Sequence, residues 1–233
     1  MATKLYFHAA SSTVGGTLPT TEQSSLTANA NVDPLTTNRS MDTTIGTSQD
    51  SLVLTSNATT SQQTYYFTRF VSAPLNVTSI SANTWTYFYA VKESNASANF
   101  PVNGSGPLDI NLYVWRPSSG IKFGTIAQGL STSTAEPVAG SEVAQTETFS
   151  GALIPGMQAG DVLVFEVWFV VTQSAATAYT DTFYYDGTSE ATGVQTSVAS
   201  YISTPQNLTF AATSIDMTNV STTGYTNKFI IKV

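Results

Sequence analysis

The sequence predicts an all-β fold: an antiparallel, jelly-roll-like β-sandwich over residues 51–233, preceded by an extended polar N-terminal arm over residues 1–50. Three observations carry this. Apolar, β-branched and aromatic residues recur in short runs with a period of two, and the runs are separated by clusters of Gly, Pro, Asn and Ser. No stretch combines a helical period with capping residues, and strands do not alternate with helices, so two packed antiparallel sheets are the natural architecture.

After a short strand at the start, the segment from Phe7 to about residue 50 is rich in Thr, Ser, Asn and Gly, with turn signals at Gly15-Gly16 and Asp33-Pro34. It reads as an extended arm with little core of its own, held by the domain or by a neighbour. The body then begins with the short apolar strand Ser51 to Thr55. Tyr65 to Val71 is aromatic and β-branched, and stops before Ala73-Pro74. In Thr84 to Val91, Trp85, Tyr87 and Tyr89 alternate with Thr84, Thr86 and Phe88, placing two sets on two faces.

Asp109 to Trp115 has the clearest period of two: Ile110, Leu112 and Val114 form one face, and the strand reads as half-buried. Ile121 to Ala127 follows, then Glu142 to Phe149, whose polarity suits a sheet edge. Turns at Pro155-Gly156 and Ala159-Gly160-Asp161 lead into the strongest segment, Val162 to Val171. There Leu163, Phe165, Val167, Phe169 and Val171 share a core face. Thr182 to Tyr185, Tyr201 to Ile202, Asn207 to Phe210 and Lys228 to Val233 complete the strands, with turns at Asp186-Gly187 and Gly193.

With 233 residues and no cysteine, the chain folds on packing and hydrogen bonds alone, and thiolate or Cys-zinc chemistry is excluded. Charged residues are 10% of the chain, while Ser and Thr together are about 28%; an ordinary soluble domain carries about 25% charged residues. Hydroxyls and amides must therefore wet the surface, which orders against a neighbour at low entropic cost. The net charge of −7 repels phosphate backbones, so no nucleic-acid partner is expected. Val162 to Val171 is interrupted by Glu166 and is too short for a membrane helix, so no membrane partner is expected either.

Few residues invite a chemical role. His8 is the single histidine, which rules out a multi-histidine metal site; it reads as a satisfied surface or interface residue. A glycosidase needs two carboxylates across a sugar. Glu142 and Glu147, five apart, face opposite ways on one strand. Glu166 sits with Val162, Val164 and Trp168 on the second face of the most apolar strand. It is the better acid, although pairing with Arg69 or Arg116, or exposure on an outer face, is the plainer reading.

Asp181 and Asp186, with Gly187, offer loop oxygens for calcium, but Asp186-Gly187 serves equally as a turn. Tyr66, Tyr87 and Trp115, if exposed, would suit sugar stacking or a protein interface. Sequons lie at Asn38, Asn57, Asn76, Asn95, Asn103, Asn207 and Asn219. The reading is thus no catalytic residue, no cofactor, no metal, and protein partners.

The stretches Ser51 to Leu54, Thr64-Tyr-Tyr-Phe-Thr-Arg-Phe-Val-Ser-Ala-Pro-Leu75, Asn83 to Tyr89 and Leu108 to Pro117 resemble structural proteins of tailed-phage particles. Gly160-Asp-Val-Leu-Val-Phe-Glu-Val-Trp168 and Thr180 to Gly187 share that texture. The resemblance spans residues 50 to 210 and transfers no catalytic or binding residue. It implies a non-enzymatic virion protein, a capsid decoration (cement) protein or a tail-associated one. Its partners would be copies of itself and another virion protein such as the major capsid protein. Met1 to His8 lacks the apolar core of a secretory signal, which fits particle assembly in a host cytoplasm and localisation to the virion. A glycan-binding or adhesive module of a cell surface is the alternative.

Overall fold

The computed structural model describes residues 2–14, 30–95, 108–131, 140–171, 175–187 and 199–211. Among these there is no helix, and the strands in chain order are β1 (Thr3–Ser11), β2 (Ala30–Asn31), β3 (Arg39–Asp42), β4 (Gln49–Thr55), β5 (Gln63–Ser72), β6 (Ser79–Ile80), β7 (Asn83–Glu93), β8 (Leu108–Arg116), β9 (Ile121–Ser131), β10 (Val143–Gly151), β11 (Ile154–Pro155), β12 (Val162–Val171), β13 (Thr180–Asp186) and β14 (Tyr201–Thr204). The all-β class is as the periodicity predicts. Asn207 to Phe210 shrinks to a bridge between Phe210 and Leu75. Lys228 to Val233, Gly193 and Gly15-Gly16 lie outside the described residues.

One 12-stranded sheet follows the path β4-β13-β7-β14-β1-β3-β5-β12-β8-β9, with β10 attached to β7 and β2 to β5; β6 and β11 pair apart. The expected antiparallel pattern is broken at one seam, where β2 and β3 run parallel to β5. β4 lies between β3 and β5 in sequence but pairs with β13, so the chain leaves the seam and returns to it in the same direction.

The sheet folds over itself as a sandwich, and aromatic side chains fill the interior. Phe7 of β1 stacks on Phe70 of β5 and Phe165 of β12, at 4.3 and 5.3 Å between ring centroids, and meets the edge of Tyr87 of β7 at 6.1 Å. Phe183 of β13 approaches Phe169 of β12 edge-on at 6.2 Å. These offset and T-shaped contacts are the favoured geometries of aromatic pairs. On β7 the alternation is as read: Trp85, Tyr87 and Tyr89 are fully buried. At Gly151 of β10 a Cβ would stand 2.5 Å from Trp85 Cδ1, so glycine there makes room for the indole.

Two expectations need correction. The outer face of β5, β12 and β8 is also buried: Val71, Tyr113, Trp115, Val162 and Val164 form a second apolar cluster, with Val14 packed on it. Over Ile110 to Trp115 the strand is therefore buried on both faces, since Asn111 and Tyr113 are as enclosed as Leu112.

The boundary at residue 50 cuts through the body. β1 pairs with β14 and β3 inside the sheet, and Leu5, Phe7 and Met41 belong to the main core. Over residues 2–14 and 30–50 the segment read as an arm is held by its own domain. A low average hydrophobicity over this segment hides a strand whose Thr3, Leu5 and Phe7 alternate inward and are buried.

Candidate functional site

The most concentrated polar chemistry lies on the covered outer face of β5, β12 and β8. Glu166, central in β12, is opposite Arg69 of β5 and Asn111 of β8 in the two ladders. Tyr113 donates its hydroxyl to Glu166 Oε1 at 3.1 Å, and Asn111 Nδ2 and Trp168 Nε1 reach Oε2 at 3.2 and 3.5 Å. Arg69 Nη1 stands 3.9 Å from Oε1, while its Nη2 donates to the Leu35 carbonyl at 3.2 Å. Burial, together with the neighbouring Glu166 charge, pushes the Tyr113 phenol far above its usual range.

Glu166 has no exposed surface, so substrate cannot reach it as a general acid. Of the two arginines read as its partners, Arg69 is the one. Arg116 is instead bidentate to Asp161, at 2.8 Å for both contacts, and covers the Phe123 ring. The third arginine, Arg39, forks onto Asp33 at 2.7 and 2.9 Å, and Thr68 donates to the same carboxylate at 2.6 Å. All three arginines of the chain thus lock segments of their own fold.

His8 has company that sequence reading missed. Its Nε2 lies 3.2 Å from Asp42 Oδ1 and its Nδ1 3.1 Å from Asp186 Oδ1. Both ring nitrogens are thus within hydrogen-bond reach of a carboxylate of the same fold. Asp186, at φ 69°, also accepts the Ala9 amide at 2.8 Å. The partners are 34 and 178 residues away in sequence, which no local pattern records.

Asp181 and Asp186 are not brought together. The burial pattern of β13 turns Asp181 inward and Asp186 to the other face, so they do not share a calcium site. Asp181 is fully enclosed, neither of its oxygens has a hydrogen-bond partner, and burial lifts its carboxyl to about 7. Directly opposite it in the β7–β13 ladder is Glu93, also buried. No group of three ligating side chains suited to a metal ion occurs among the described residues. Glu142 precedes β10 and accepts from Gln49 Nε2 at 2.8 Å; Glu147 is buried on β10.

Tyr66, Tyr87 and Trp115, offered as exposed aromatics, are buried at 0%, 0% and 6% exposure. Alternation separates inside from outside only where one face is wet, and here both faces of β5 and β8 are covered. Among the partly exposed aromatics, Tyr6, Tyr201 and Phe88 neighbour one another across β1, β14 and β7, with Lys4 over Tyr201 at 4.4 Å. The pocket between Asn111, Tyr113, Lys122, Thr125, Ala127 and Gln128 has about 10 Å³ of free space, enough for one water. Sequons at Asn57, Asn76, Asn95 and Asn207 are exposed and Asn38 is half-buried; Asn103 and Asn219 lie outside the described residues. No described helix is long and apolar enough to cross a membrane.

No family model and no curated protein matches the chain. Among solved structures, a CocE/NonD family hydrolase from Staphylococcus aureus aligns with 88% of this chain and 36% of its own, at 9% identity and TM-score 0.44. Infectious bursal disease virus, Gt strain, aligns with 68% of this chain and 39% of its own, at 9% identity and TM-score 0.19. The subviral particle of that virus's VP2 aligns with 68% and 40%, at 13% identity and TM-score 0.15. The chain spans about a third of the hydrolase's length. Overlaps this loose carry no functional argument.

Proposed function

We propose that this chain is a non-enzymatic structural protein of a viral particle, a coat-decorating or cement subunit that works by contact with copies of itself and with the shell beneath it. The observation that carries the reading is where the strong polar groups go. Arg39, Arg69 and Arg116 each hold a carboxylate of the same fold, and His8 is clasped by two more. These arginine and histidine contacts stiffen the body. What remains outside is a hydroxyl-rich surface with few long side chains to immobilise, suited to repeated close packing in a symmetric assembly. A tail-associated position makes the same use of such a body.

The test is immunogold labelling of particles from the source culture with an antibody against the recombinant chain. Regular labelling of particle shells supports the coat reading, and labelling of tails supports the second position. Label confined to cell envelopes or to free protein overturns both. One observation favours a glycan-binding module as the second reading: Tyr6, Tyr201 and Phe88 form a partly exposed aromatic cluster, Tyr201 stacked on Phe88 with Lys4 over its ring. Glycan-array binding that is lost in Tyr201→Ala would establish it.

A further inference from the structure

We infer that β4 is a self-association edge, at which a second copy of this chain adds its own β4 antiparallel across a two-fold axis. The inference rests on the reading of the chain as a self-associating structural protein and names the surface it uses.

β4 ends the strand path. It pairs with β13 along one edge in an unbroken register from Gln49↔Asp186 to Thr55↔Thr180, and no described strand takes the other edge. Which backbone groups face outward follows from the flanking bonds. The Gly187 amide donates to the Ser48 carbonyl at 2.8 Å, and the Ser56 amide to the Tyr179 carbonyl at 2.9 Å. Antiparallel ladders alternate, so the even positions from 48 to 56 bond toward β13. Gln49, Ser51, Val53 and Thr55 therefore aim their N–H and C=O groups away from the sheet. The Ser51 amide is held by Asp50 Oδ1 at 2.7 Å.

Natural sheets blunt such an edge with Lys, Pro, bulges or short strands. The opposite end of this sheet does so: β9 carries Lys122, its register with β8 shifts three times, and the Ala152 amide caps it at the Ile126 carbonyl, 3.0 Å away. β4 has none of these devices. Its sequence, Gln-Asp-Ser-Leu-Val-Leu-Thr, contains no Lys or Pro, its register is unbroken, and Val53 is 53% exposed on it.

The occupant is set by the same residues. Pairing must match odd positions with odd, and a two-fold centred on Leu52 does so, placing Gln49 against Thr55 and Ser51 against Val53. Asp50, the one charge of the strand, then faces Leu54. The two Asp50 side chains lie four residues apart along the strands, about 13 Å, which is beyond the roughly 8 Å screening length at physiological salt. With the Ser51 amide released from Asp50 Oδ1, the strand is complementary to itself in hydrogen bonding and free of opposed charges.

The experiment is sedimentation velocity of the full chain from about 1 to 500 µM, for wild type, Val53→Pro and Val53→Lys, with hydrogen exchange read at Val53 and Thr55. Proline at 53 removes an outward amide without breaking the β13 ladder, and lysine installs the missing edge charge. Wild type is expected to dimerise with rising concentration and to protect the Val53 and Thr55 amides as it does. Both variants should keep the wild-type circular dichroism and need at least tenfold higher concentration to associate. Self-association that persists unchanged in both variants overturns the β4 assignment while leaving assembly through another surface. A wild-type chain that stays monomeric throughout also overturns it, and regular labelling of particles would then leave the particle reading standing on a foreign partner.

Discussion

Arg69 Nη1 stands 3.9 Å from Glu166 Oε1 at the middle of a sheet face, with 1% and 0% of the two side chains exposed. A charge pair so enclosed is costly to break and cheap to replace whole, because removing one partner strands the other without water. Glu166→Leu should therefore destabilise the chain by about 3–5 kcal/mol, leaving Arg69 buried without its carboxylate. The double variant Arg69→Met with Glu166→Leu should recover most of that loss. Urea unfolding of the two single variants, the double and the wild type closes the cycle. A double variant no better than Glu166→Leu would show that the pair does not act as a unit.

Asp181 makes stability depend on pH in a set direction. Its folded-state carboxyl is raised to about 7 by burial, above the ordinary 3.8. The folded chain thus holds a proton that the unfolded chain releases, and the stability linked to that proton is fully present below 3.8 and lost as pH rises through about 7. The loss is on the order of 4 kcal/mol across that window, at about 1.4 kcal/mol per unit. Asp181→Asn, neutral at every pH, should flatten this slope. Urea midpoints between pH 4 and 8 check it; parallel profiles for wild type and variant would refute it.

Phe7 separates a detachable arm from a core strand. Its ring lies between Phe70 and Phe165, so Phe7→Ala should cost about 3–5 kcal/mol. A loose arm would tolerate the change with no shift in the melting temperature. Differential scanning calorimetry distinguishes the outcomes.

Gly151 tests the packing around Trp85. A Cβ there would meet Trp85 Cδ1 and Nε1 at 2.5 Å and Ile126 Cγ2 at 2.8 Å. Gly151→Ala should destabilise by about 1–3 kcal/mol through overpacking and alter the tryptophan near-UV circular dichroism. An unchanged spectrum and melting temperature would show that the indole can move aside.

The sequence by itself determined the strand class and the inward sets: Leu163, Phe165, Val167 and Phe169 on β12, and Trp85, Tyr87 and Tyr89 on β7, are fully buried. It also placed the turns at Gly156, Gly160 and Asp186-Gly187, where positive φ at Gly156, Gly160 and Asp186 suits glycine and aspartate. Those features are local, written in period-two alternation and in turn chemistry.

Tertiary structure alone decided that Thr3–Ser11 is an inner strand, that Tyr66 and Trp115 are covered, and that His8 lies between Asp42 and Asp186. Each depends on which strands become neighbours across up to 178 residues of chain. Alternation says that a strand has two faces; only the packing of one segment over another says whether the second face meets water.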